Sequence, residues 1–193
     1  MLIKNDFEVA QPVEKVWEFF GDIPKVAACL PGTELTTELG DDSYEGTVVV
    51  RMGPVKLTFA GKAKITERDE AAKRLVVDAS GAEARGRGQA AMVVTATLSR
   101  SGKGTKVGVA QDLQLSGAAA QYGRGMISDV TTVLMRDFSA NLARGIDAAD
   151  RGESVTGATA APASGFALGL RAARMALARV FRRFFLPYQP SQS

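Results

Sequence analysis

"VKLTFAGKAKI", Val55–Ile65, is the stretch from which the fold follows. Val55, Leu57, Phe59, Gly61, Ala63 and Ile65 fall on one side of an extended chain, and Lys56, Thr58, Ala60, Lys62 and Lys64 on the other. That period of two belongs to a strand in a sheet with one dry and one wet face. Upstream, Tyr44–Met52 reads as a partner strand, joined through the turn Met52-Gly53-Pro54. Downstream, Leu75, Val77 and Ala79 repeat the pattern, then Met92, Val94, Ala96 and Leu98, then Val107, Val109, Leu113 and Leu115. "SRSGKGT" between the last two is a Gly-rich hairpin connection. With an opening strand over residues 2 to 10, the chain predicts about seven antiparallel strands joined mostly by turns.

Helices bracket this run. Pro12 opens a short helix with Gln11 as a weak cap and Val13, Val16, Trp17 and Phe20 on one face. Asp22 caps a second that ends near Leu30, where Pro31 and Gly32 break it. After Ser116, read as an N-cap, a long helix extends to about Ala149, with the stripe Ile127, Val130, Leu134, Phe138 and Leu142. Its first half, "GAAAQYGRGM", is built of small residues. Its two glycines each cost about 1 kcal/mol against alanine in a helix, so either close packing or space for a ligand must justify them.

Composition narrows the chemistry. There is no histidine, which removes Ser–His and Cys–His nucleophilic machinery. Cys29 is the only cysteine, so neither an internal disulfide nor a thiolate zinc site can form. It reads as a small buried hydrophobe. Carboxylate chemistry stays open, but the alternation shows no inward Asp or Glu. "GRG" at Gly86 and Gly123 does not sit between a strand and a helix as a phosphate loop requires. No metal or covalent cofactor is expected. The start of the chain lacks the apolar core of a signal peptide, and no window reaches the ~20 apolar residues of a membrane span.

The net charge of +3 is unevenly placed. From Arg151 onward there are six arginines and one acid, Glu153; the rest carries a net −2. We divide the chain into a domain over residues 1–150, a Gly/Ser/Thr/Ala/Pro-rich linker over 151–165, and a tail over 166–193. The linker has an r.m.s. span of ~20 Å and a reach of ~50 Å. On a helix, Phe166, Leu170, Ala173, Leu177, Val180, Phe181 and Phe184 share one third of the circumference. Arg171, Arg179, Arg182 and Arg183 oppose them, and Arg174 and Phe185 sit at the border. Met175, Leu168 and Leu186 interrupt the polar face, and Pro187 ends the pattern. A basic face opposite a Phe/Leu face suits a helix lying in a membrane interface. Five arginines at about 1 kcal/mol each near an anionic leaflet, plus partial burial of apolar side chains, exceed the cost of localising the helix. Docking on its own domain, on a partner's groove, or on nucleic acid are the alternatives. From the sequence, no basic surface is expected on the body to support the last. The expectation is a cytoplasmic protein held peripherally at the inner face of the cell membrane by its tail.

The order strand, two short helices, antiparallel strands and one long helix is that of the helix-grip, START-like fold. Residues 1–149 resemble the carbon monoxide dehydrogenase G-subunit family of the polyketide cyclase/START-like (SRPBCC) superfamily. The matching pieces are "VEKVWEFFGDIPKVAACLPG" (13–32), "GTVVVRMGPVKLTFAGKAKI" (46–65) and "LSGAAAQYGRGMI" (115–127). The resemblance implies an α+β fold: a curved sheet gripping the long helix over an elongated cavity for a hydrophobic ligand. It also implies a non-enzymatic accessory role for an aerobic molybdenum CO dehydrogenase, recruiting it to the membrane.

Electrons from such a soluble enzyme must reach the respiratory quinone pool, whose isoprenoid tails stay in the bilayer. An apolar cavity beside the membrane suits an isoprenoid quinone such as menaquinone. Candidate liners are Phe59, Met92 and Val94 on the strands, with Gly61 and Ala63 leaving room. On the long helix they are Ala119, Tyr122, Gly123, Met126, Ile127, Val130 and Leu134, and Phe20, Val26 and Leu30 form a lid. Gln111, in the dry register between Val109 and Leu113, is a partner for a ligand carbonyl unless a bulge turns it outward. Tyr122 offers a ring and a donor. A tethering scaffold without a ligand, or an aromatase/cyclase-type enzyme, are the competing functions.

Overall fold

The computed structural model describes Met1–Glu153. Seven strands form one antiparallel sheet: β1 (Leu2–Val9), β2 (Thr33–Gly40), β3 (Ser43–Met52), β4 (Val55–Asp69), β5 (Arg74–Glu83), β6 (Gln89–Ser101) and β7 (Gly104–Leu115). Their spatial order is β1-β7-β6-β5-β4-β3-β2, so the first strand closes beside the last and every other neighbour is a hairpin partner. Helices α1 (Val13–Gly21) and α2 (Ile23–Cys29) separate β1 from β2, and α3 (Arg124–Asp150) follows β7.

The alternation of Val55–Ile65 is realised in β4. Leu57 and Ile65 are buried, while Lys56, Lys62 and Lys64 are exposed. The sheet curves where glycines align: Gly46 pairs with Gly61, and Gly61 with Gly81. A Cβ on Gly61 would stand 2.0 Å from the Ser80 carbonyl oxygen and 2.5 Å from Gly81 Cα. No larger residue permits that approach, so Gly61 answers first to strand geometry.

Asp22 caps α2 as expected, accepting from the Lys25 N–H at 3.1 Å. Gln11 does not cap α1; its Nε2 donates to Asp147 on α3 at 2.8 Å. Two further departures matter. β2 is not visible as a strand in the sequence, because it is an edge strand whose last five residues are all exposed. The long helix does not start at Ser116, whose Oγ accepts from the Gln89 N–H at 3.2 Å instead of capping. Gly117, at φ 67°, turns the chain, and residues Gly117–Gln121 make a 3-10 segment. α3 then begins at Arg124 behind a non-helical Gly123.

Two apolar clusters hold the sheet to the helices. One joins α1 and α2 to the C-terminal half of α3 through Val16, Trp17, Phe19, Phe20, Phe138, Leu142 and Ile146, over Leu98 and Val107. The other joins the start of α3 to the opposite end of the sheet through Ile3, Met52, Leu57, Ala119 and Ile127. Gly145 lets α3 cross the short helices closely, since a Cβ there would meet Phe19 at 3.0 Å and Cys29 Sγ at 3.3 Å.

Candidate functional site

α3 packs along β1 and against α1, α2 and β3. Opposite it lies the inner face of β4, β5 and β6. There the cross-strand rows are Ala63–Ala79–Met92 and Ile65–Val77–Val94. Apart from buried Ile65, these residues are only half-buried, as is Phe59. Ile65, Val77 and Val94 join the first cluster, and the row Ala63–Ala79–Met92, with two small side chains, lies in neither cluster. A hydrophobic guest lying there would complete burial that the chain leaves unfinished.

Two amides point into the same interior. Gln111 is 8% exposed and does not bulge outward; its Nε2 donates to Met135 Sδ on α3 at 3.7 Å. Thioether sulfur is a weak acceptor. One strand over, Asn5 is held from α3 by Thr132 Oγ1, which lies 3.5 Å from its Oδ1, and its Nδ2 is buried with no partner. Asn5 is not among the sequence candidates. Its signal is present all the same, for it sits in the inward register Ile3, Asn5, Phe7, Val9. Ile3 pairs with Gln111 and Asn5 with Val109, so the amides are diagonal neighbours on one face. A buried donor without an acceptor costs roughly 1–3 kcal/mol.

An inward carboxylate, absent from the expectations, is also present. Glu83 ends the dry register of β5 and is 3% exposed. The turn Ala84–Gly88 folds over it: Arg85 N–H donates to Oε2 at 2.9 Å, Arg87 N–H at 3.3 Å and Arg87 Nε at 3.2 Å, while Arg87 Nη2 donates to Oε1 at 2.9 Å. The Arg87 hydrogen bonds lower its pKa from the ordinary 4.5 to about 2. A carboxylate held this firmly ionised is a poor general base near neutrality.

The structure distributes the other candidates unevenly. Ala119 and Ile127 are buried in the second cluster, with Phe59, Tyr122 and Val130 half-buried against it. Leu134 is half-buried on the same helix. Val94, Val26 and Leu30 pack against the first cluster. Phe20 is core rather than a movable cover: it is 4% exposed and edge-on to Phe138 at 6.4 Å. Met126, 46% exposed, and Gly123, also exposed, face outward, because α3 starts later than expected and Met126 lies at the edge of the stripe led by Ile127. Cys29 is buried, and burial raises its thiol to about 11. The tail residues Phe166 to Phe185 lie outside the described residues.

Two depressions are present among the described residues. One of about 610 Å³ lies over the middle of the sheet, lined by the outward Lys62, Lys64, Asp78, Ser80 and Val93 and also touching Ala63, Ala79 and Met92. One of about 440 Å³ lies at the tips of β4 and β5, among Pro54, Lys56, Thr58, Arg85 and Arg87. Among the described residues, no group of His, Cys, Asp and Glu could hold a metal, and no helix is long and apolar enough to cross a membrane.

A curved antiparallel sheet of this order around a C-terminal helix defines a START-like, helix-grip protein. Solved structures agree at the level of fold. A conserved protein from Geobacillus kaustophilus is 19% identical at a TM-score of 0.67, covering 76% of this chain and 95% of its own. A protein from Thermus thermophilus is 15% identical at 0.56, covering 77% and 99%. The Zhui aromatase/cyclase from a Streptomyces species is 17% identical at 0.51, covering 81% and 98%. Comparison with curated proteins found no match. The family model for the carbon monoxide dehydrogenase G-subunit, CoxG, matches residues 6–147, and the chain belongs to that family. Membership of that family supports an accessory role alongside CO dehydrogenase.

Proposed function

We propose that this protein is a non-enzymatic carrier. It holds an isoprenoid quinone between α3 and the inner face of β4–β6, and so links CO dehydrogenase to the membrane quinone pool. The observation that carries the reading is the half-buried row Ala63, Ala79 and Met92, bordered by the inward amides of Asn5 and Gln111. An apolar tail would cover the row, and the amides would donate to a ring carbonyl. In this reading the tail over 166–193 lies in the bilayer interface and the linker over 151–165 lets the domain move between membrane and enzyme. Localisation is then peripheral, at the inner face of the cell membrane.

The test is mass spectrometry of lipid extracted from purified full-length protein. An isoprenoid quinone at a substantial molar fraction is expected. Protein that arrives empty from a quinone-replete host, and takes up none from quinone-doped vesicles, would overturn the reading. A tethering scaffold predicts that emptiness. An aromatase/cyclase predicts turnover of a polyketide-like substrate, but the one buried carboxylate among the described residues, Glu83, is locked by Arg87.

A further inference from the structure

We propose that the folded domain carries a docking face of its own for anionic phospholipid, separate from the tail, at the end formed by the β3–β4 turn, the β5–β6 turn and the start of α3. The inference rests on the membrane part of the proposed function and assigns it to residues outside the tail.

The cations there are in register, and the acid among them, buried Glu83, is taken up by Arg87. Arg51 on β3 pairs directly with Lys56 on β4, and both are exposed. Like charges placed opposite each other across strands repel. Among the described residues neither forms an ion pair, and nor does exposed Arg85. Arg87 joins the group by donating from Nη2 to the Lys56 carbonyl at 3.3 Å. Its own charge is answered by Glu83, which leaves Arg51, Lys56 and Arg85 uncompensated beside the depression of about 440 Å³.

The third element adds to this. The Arg87 carbonyl accepts from the Ala118 N–H at 2.7 Å, stitching the β5–β6 turn to the chain that leads into α3. α3 opens with Arg124 and has no acid in its first turn. A helix N-terminus is already a positive pole, so this arrangement attracts an anionic partner.

Lipid is favoured over a small soluble anion or an acidic protein by what lies beside the charges. Met126 is 46% exposed and Leu2 60% exposed at this same end, and Pro54 is also exposed. Cations from three elements, interspersed with outward apolar side chains, match a surface with phosphates above and hydrocarbon beneath. Docking this way sets the half-buried Phe59 and Tyr122 close to the bilayer.

The test uses the full chain on phosphatidylcholine vesicles containing phosphatidylglycerol. In a Cys29→Ala background, spin labels are placed at Pro54→Cys on the proposed face and at Lys103→Cys on the opposite end of the sheet. With the chain bound, the label at position 54 should become accessible to a lipid-dissolved relaxant and shielded from a water-soluble one, and the label at 103 should not. Lys56→Glu with Arg85→Glu should weaken binding roughly ten-fold, with an unchanged thermal midpoint. A chain that binds vesicles while position 54 stays as wet as position 103 overturns this docking face and leaves the tail reading intact. A chain that does not bind at all overturns both.

Discussion

Arg87 closes on Glu83 through both its Nε and its Nη2, at 3.2 and 2.9 Å, across the turn that separates β5 from β6. The Glu83 carboxylate also engages two backbone N–H groups and so organises the turn. The pair is structural in character: the carboxylate is satisfied, ionised and fixed.

A pH dependence follows. Glu83 titrates near 2 when folded and near 4.5 otherwise, so its contribution is complete above about 4.5 and is lost as pH falls from there towards 2. Urea unfolding at about pH 6 and about pH 3 should show a steep loss for the wild type. Glu83→Gln should be less stable at the higher pH and show a shallower loss. Equal losses in the two proteins would refute the assignment.

Gly61→Ala should destabilise the domain. The added methyl would stand 2.0 Å from the Ser80 carbonyl oxygen, an overlap with backbone that no rotamer relieves. Forced overpacking costs about 1–3 kcal/mol, and backbone displacement puts this site at the upper end or beyond. A fall of several degrees in thermal midpoint is expected; Gly53→Ala, where a Cβ meets nothing within 4 Å, should cost less despite its φ of 60°.

Gln111→Leu separates ligand reading from folding. Removing a buried amide whose side-chain contact is a thioether should leave stability unchanged or raise it. Quinone co-purifying with the protein should nevertheless fall several-fold, and Asn5→Leu should behave alike. Undiminished quinone in both variants would exclude the amides from head-group recognition.

Removal of residues 165–193 should cost most of the vesicle affinity, because about five arginines and the apolar stripe leave together. Sedimentation with anionic vesicles measures it, with circular dichroism as the control for folding. Any remainder should be salt-sensitive and vanish on Lys56→Glu with Arg85→Glu. Undiminished binding after truncation would rule out the tail as the principal anchor.

Much of this fold is legible because the strands obey a two-residue period. Val55–Ile65 names its dry side chains, and Asp22 announces its own helix. The missing pieces share a physical cause: their conformation is set by neighbours in space. Thr33–Gly40 is extended because β3 pairs with it, although six of its eight residues are exposed. Ser116 has the chemistry of a cap, but Gln89 claims its hydroxyl, and the positive φ of Gly117 leaves no trace in residue type beyond glycine itself. Within the candidate site, Gln111 is readable from its register. Asn5 and Glu83 obey the same rule and emerge once the alternation is followed through the whole of β1 and to the end of β5. What alternation does not show is which small residues leave room and which, like Gly61, permit contact.

Asn141, 8% exposed in the middle of the core, donates from Nδ2 to the Cys29 carbonyl at 2.8 Å, and Arg144 completes its other side. The final turn of α2 is therefore latched to α3 by a bond sealed from water. Prising α2 away would strand a polar group in an apolar setting, a penalty of about 1–3 kcal/mol before any packing is lost. Traffic into the interior should then avoid that side, and the route of least resistance runs past Tyr122 at the far end.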